Sequence, residues 1–203
     1  MTDLYTIRGY EMERILTTGS YGICVFSLDV LHEFLKNAKL KTKKLLDAFQ
    51  NNPERYLAAV REGVWVPFVQ IDSVDYIIKL DGCESPFDDN WELKMEYGGF
   101  NINVKDSVWI SDIGSFLNFN YEKYVGNEEL SYKTVDGETI YSNLRYNVSS
   151  GRYALSIKGY SRKNKLDFPN PNYGFSFSLF AVDEFDGYKN PREETYDFNI
   201  ANM

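Results

Sequence analysis

The clearest pattern in the chain lies between about residues 130 and 200, where aromatic and aliphatic side chains alternate with small or polar ones. Tyr153, Leu155 and Ile157 alternate with Ala154, Ser156 and Lys158, and Phe175, Phe177 and Leu179 alternate with Ser176 and Ser178. A period of two sends one set to a buried face and the other to water, so both runs predict strands, over 152–160 and 175–182. Asp136-Gly137 and Gly98-Gly99 predict hairpin turns, the first between strands 130–135 and 138–141, the second between 91–97 and 100–105. Further strands are expected at 4–8, 21–28, 64–70, 74–80, 108–110 and 116–121, with 196–200 closing an edge. Pro67 marks the 64–70 strand as an edge or a bulge.

The period changes to that of a helix between residues 28 and 62. Leu31, Phe34, Leu35 and Ala38 form one stripe, and Thr42 precedes a turn carrying Leu45, Leu46 and Phe49. Asn52 as N-cap, Pro53 at the first helical position and Gly63 beyond the end bound a third helix, with Tyr56, Leu57 and Val60 inward. Weaker helical spacing covers 10–17. The expected fold class is α+β, with a short helical layer (28–62) packed on a mainly antiparallel sheet or sandwich (64–200). At 203 residues the chain fits a single domain, 1–203, or an α/β part (1–90) joined to a β-sandwich-like part (91–203). The loop 162–173, with Pro169 and Pro171, is the longest expected excursion.

Charge and composition narrow the function. Thirty acidic against 22 basic residues give a net charge of −8, which disfavours nucleic acid and suits a basic protein partner. The most apolar window, 15–28, is too short and too polar to span a bilayer, and the first residues lack a secretory pattern. Two cysteines without a secretion signal fit free thiols, so the expected location is the cytoplasm. Sixteen tyrosines and 14 phenylalanines supply many rings with an apolar body, more than half of them with a polar tip.

No motif for reactive chemistry has convincing spacing. Thr17 to Val25 resembles the glycine-rich loop of protein kinases, yet Thr17 stands where the first glycine belongs and no strand lysine follows. His32 is the single histidine, too few for a usual zinc set, and Cys24, the nearest thiol, sits in an apolar strand. Catalytic residues, metal ligands and cofactors are therefore all expected to be absent. Two acidic segments interleaved with rings remain as partner-binding candidates: Asp81, Glu84, Phe87, Asp88, Asp89 and Trp91 in one, and Asp183, Glu184, Asp186 and Tyr188 in the other. Carboxylates around apolar anchors suit recognition of a basic enzyme.

One local pattern, Tyr146-Asn147-Val148 ahead of Ser150-Gly151-Arg152-Tyr153-Ala154-Leu155-Ser156-Ile157 and the aromatic strand from Tyr173, resembles small bacterial β-sandwich inhibitor and toxin-immunity proteins over about 141–183. That resemblance implies a non-enzymatic protein that covers the site of a toxin or nuclease and brings no catalytic residues of its own. The competing expectations are a β domain that binds a small molecule or carbohydrate, and a hydrolase working through carboxylates alone.

Overall fold

The computed structural model describes residues 14–80 and 87–203. The strand expected at 4–8, the first part of the 10–17 segment, and the candidates Asp81 and Glu84 lie outside the described residues.

Two five-stranded sheets face each other. The first runs β1 (Arg14–Thr17), β4 (Asp75–Leu80), β10 (Tyr173–Val182), β9 (Gly151–Arg162) and β5 (Trp91–Val104). The second runs β3 (Trp65–Val69), β2 (Gly22–Phe26), β6 (Ser107–Asp112), β8 (Thr139–Asn147) and β7 (Glu129–Lys133). Every neighbour pair is antiparallel except β4 with β10. Both sheets draw strands from either side of residue 90. The fold is thus α+β and mainly antiparallel, as the alternating runs predict.

The alternation explains the layers. Phe175, Phe177, Leu155 and Ile157 point inward from the first sheet and meet Ile23, Val25, Phe68 and Ile110 of the second. The opposite face of the second sheet offers Cys24, Phe26, Trp65 and Trp109 to a helical layer. That layer holds α1 (Leu28–Asn37), α2 (Leu45–Gln50) and α3 (Pro53–Arg61), which bury Leu31, Leu35, Phe49, Tyr56 and Val60 against the sheet. Asn52 caps α3 as its position predicts, its Oδ1 accepting from the Arg55 backbone N–H at 2.9 Å. Ser27 does not cap α1; its hydroxyl donates to the Lys105 carbonyl and accepts the Lys105 N–H, tying α1 to the turn between β5 and β6. β3 is an edge strand, where Pro67 leaves no inner ladder bond unmade.

Four expected elements take another form. Gly98-Gly99 is not a hairpin: β5 runs unbroken past it, with bulges between Leu93 and Met95 and between Gly98 and Phe100. Gly99, at φ +86°, is the extra residue of the second bulge, so the left-handed conformation that a turn would use here kinks an edge strand instead. Residues 14–17 are strand, not helix, because they pair along β4. Residues 116–118 end a 3-10 helix (Ile113–Asn118) and 119–120 follow without regular structure; Phe116 and Phe119 pack edgewise on Phe26 and so gain burial without a ladder. The segment 196–200 joins no sheet; it inserts Phe198 and Ile200 into the core. No helix among the described residues is long and apolar enough to cross a membrane.

Candidate functional site

The two acidic segments sit at opposite ends of the first sheet. Trp91 pairs with Arg162 at one end, whereas Asn103 pairs with Arg152 at the other, beside the Asp183 carbonyl to which Arg152 donates at 2.9 Å. Ten residues of strand separate the ends by about 33 Å. One continuous acidic patch does not form.

At the first end the rings are not anchors for a partner. Phe87 is 4% exposed and Trp91 8%, and they pack with Ile77 and Tyr160 on the outer face of the sheet. Arg162 lies over the Trp91 ring at 4.4 Å and Lys79 over the Phe87 ring at 4.9 Å, so cations close off what the sheet leaves open. Asp88 shapes a turn: its carboxylate accepts from the Asn90 backbone and side chain, which holds its pKa below the ordinary value. Asp89 is exposed. Among the described residues no three ligating side chains gather as a metal site.

The second end forms a groove of about 790 Å³ between the helical layer and the edge of the first sheet. One wall is α1, with Val30, Glu33 and Phe34; the other is the segment after β10, with Glu184 and Phe185, and Arg61, Asn103 and Arg152 line it as well. Specific contacts hold that segment. The buried Asn101 side chain donates to the Gly187 carbonyl at 2.8 Å and to the Arg61 carbonyl at 3.0 Å, and Lys189 Nζ donates to the Gly98 carbonyl at 2.6 Å. Arg61 stacks over Tyr188, and Asp183, Glu184 and Asp186 are exposed, with Glu184 lining the groove. Gly63 closes the base at φ +68°, its carbonyl accepting the Asn103 N–H at 2.7 Å.

The groove's charges are partly committed. Glu33 pairs with Lys105 at 2.7 Å, and that hydrogen bond lowers its pKa. Arg61, Glu62, Arg152 and Glu184 make no ion pair among the described residues. The result is a cleft with apolar rings inside and unpaired charge of both signs around them. Asp183, Glu184, Asp186 and Tyr188 were legible as candidates; Arg61 and Arg152, brought in from α3 and β9, were not, because no local spacing connects them.

Cys24 and His32 do not form a reactive pair. Cys24 is wholly buried, and burial first, then the nearby Asp112 charge, pushes its thiol pKa well up. The His32 ring lies against Tyr121, centroids 4.2 Å apart. Asp112 itself is a buried carboxyl at the end of β6, accepting the Ser20 N–H at 3.2 Å. Desolvation raises its pKa, although N–H groups of Ser20, Gly19 and Gly114 act against the rise. In the folded protein Asp112 stays protonated to a higher pH than in the unfolded chain. Its contribution to stability is complete below the unfolded carboxylate value of about 4 and is lost as pH rises through the raised folded value. Urea unfolding across that window should show stability falling more steeply with pH in the wild type than in Asp112→Asn, which keeps an acceptor oxygen but cannot ionise.

No family model matches the chain, and neither a curated protein nor a solved structure matches it.

Proposed function

We propose that the protein acts by binding another protein at the groove between α1 and the segment after β10. In its sharpest form it is a bacterial immunity or inhibitor protein, working in the cytoplasm, that covers the working surface of a basic toxin or nuclease. The observation that carries this reading is the groove itself, a cleft of about 790 Å³ lined by Glu184 and Phe185, with the exposed carboxylates of Asp183 and Asp186 beside them in the same segment. Apolar rings inside a charged rim suit an interface in which Phe34 and Phe185 contact an inserted side chain while the rim steers a positively charged partner. The segment is fixed through Asn101, Lys189 and Arg152, so little ordering entropy is lost on docking.

The test uses the partner recovered with the wild-type protein as bait. Changing Asp183, Glu184 and Asp186 together to lysine should weaken its binding by about 10- to 100-fold, through repulsion at the rim. Asp88→Lys with Asp89→Lys, about 33 Å away, should leave it unchanged. Equal losses from both sets, or none from the first, would reject the groove as the docking site.

A further inference from the structure

A second cavity, of about 290 Å³, lies between α2, the outer face of β3 and the turn leading into β2. Its existence follows from element lengths. Trp65, Pro67 and Val69 alternate onto the helical side of β3, but α2 has only six residues and ends at Gln50. The helix covers Trp65, whose ring stacks on Phe49 at 4.4 Å, and leaves Pro67 and Val69 facing a hollow closed below by Ile113.

The mouth carries backbone strain. Tyr21 at φ 56° and Gln70 at φ 65° are non-glycine residues in the left-handed region, each costing about 1–2 kcal/mol. The Ile71 N–H donates to the Tyr21 carbonyl at 3.3 Å, joining the two strained turns, and Tyr21 is 65% exposed. Such conformations gather where geometry is kept for a ligand.

The Ser20 hydroxyl at the cavity is held by Asp112, but other polar groups around it are uncommitted. Trp65 Nε1 is buried with no acceptor among the described residues. The Gln50 and Gln70 side chains make no hydrogen bond, and Arg192, over the Tyr56 ring at 5.2 Å, makes no ion pair among the described residues. The wall is apolar, with Leu46 and Val69 half-buried along it and Phe49 and Trp65 packed behind at 1% exposure each; the mouth holds a guanidinium with free donors. Such a cavity stands at the small end of ligand-pocket volumes, too narrow for a helix and sufficient for one ring with a short substituent.

We propose that this cavity is a binding site for a small aromatic carboxylic acid. The ring lies against Leu46, Pro67 and Val69, and the carboxylate meets the Arg192 guanidinium, the strongest pairing available to a planar anion. Trp65 packs directly behind the wall, and its indole N–H reports on occupancy. The site is separate from the groove, so it stands or falls independently of the partner-binding reading.

The test is a titration followed by the tryptophan indole N–H signals in ¹H–¹⁵N spectra. Trp65→Phe assigns the Trp65 signal; if that variant fails to fold, Trp91→Phe and Trp109→Phe assign it by elimination. Phenylacetate and benzoate are the probes, with benzyl alcohol as the uncharged control. The expected result is a saturable shift of the Trp65 signal by both acids in the millimolar range or tighter, with benzyl alcohol about tenfold weaker. Arg192→Gln should weaken the acids by about tenfold and leave the alcohol unchanged, and Val69→Trp, which fills the cavity, should abolish all three. No shift of the Trp65 signal with either acid would overturn the proposal. So would equal binding of acid and alcohol, or acid binding indifferent to Arg192, since these describe a pocket for any apolar group, including a partner's side chain.

Discussion

Phe68→Ala should lower the unfolding free energy by about 3–5 kcal/mol, measured by urea denaturation. Phe68 is fully buried on β3, and its ring meets Phe198 at 4.9 Å, Phe175 at 5.3 Å and Phe177 at 6.1 Å. These partners come from the C-terminal segment and from β10, so one ring joins the two sheets and the tail that plugs them. Truncation removes the transfer energy of the ring and leaves a void that strands locked in ladders cannot close. Phe180 is the control. It is 61% exposed on the outer face, and Phe180→Ala should stay within about 0.5 kcal/mol of wild type.

The second large effect should come from Gly63→Ala, which adds one methyl group at the base of the groove. Gly63 follows α3 with φ +68°, a conformation costing an L-residue about 1–2 kcal/mol. A Cβ there would lie 2.8 Å from the Asn103 backbone nitrogen, 3.0 Å from Phe185 Cζ and 3.1 Å from the Ile102 carbonyl carbon. Two of these atoms are strand backbone and cannot rotate away. The hydrogen bond from the Asn103 N–H to the Gly63 carbonyl must lengthen or the ring must leave. A loss of about 2–4 kcal/mol is expected in urea unfolding. Because Phe185 is displaced with it, partner affinity should fall more than for a stability change of equal size placed in the sandwich core.

How far the fold could be read depended on whether its signals were local. The third helix was legible because its boundary chemistry is contained between Asn52 and Gly63, and the Asn52 cap forms as that chemistry requires. The alternating strands β9 and β10 were legible because burial on one face needs nothing beyond the period. Gly98-Gly99 misled because a left-handed glycine serves a bulge as well as a turn, and only the twelve-residue partner strand β9 decides between them. The aromatic run 116–121 carries strand-like composition, but its burial comes from Phe26 and Trp65 beneath it rather than from a ladder. Sheet order and the single parallel pair depend on contacts a hundred residues apart and left no trace in the pattern.

The candidate site divides along the same line. Asp183, Glu184 and Asp186 were visible as a run; Glu184 lines the groove, and Asp183 and Asp186 are exposed on either side of it in sequence. Phe87 and Trp91 looked equivalent to them in composition, yet Ile77 and Tyr160 supply a surface that buries both. The cleft exists only because α1 and α3, β9 and the segment after β10 converge, which no stretch of sequence encodes.

The most direct test of the account is a calorimetric titration of the recovered partner into the wild-type protein and the lysine-substituted rim variant, each at low and high salt. The account predicts a one-to-one complex that weakens with salt in the wild type, is about 10- to 100-fold weaker in the variant, and loses its salt dependence there. A complex of equal affinity in both proteins at both salt concentrations would contradict it.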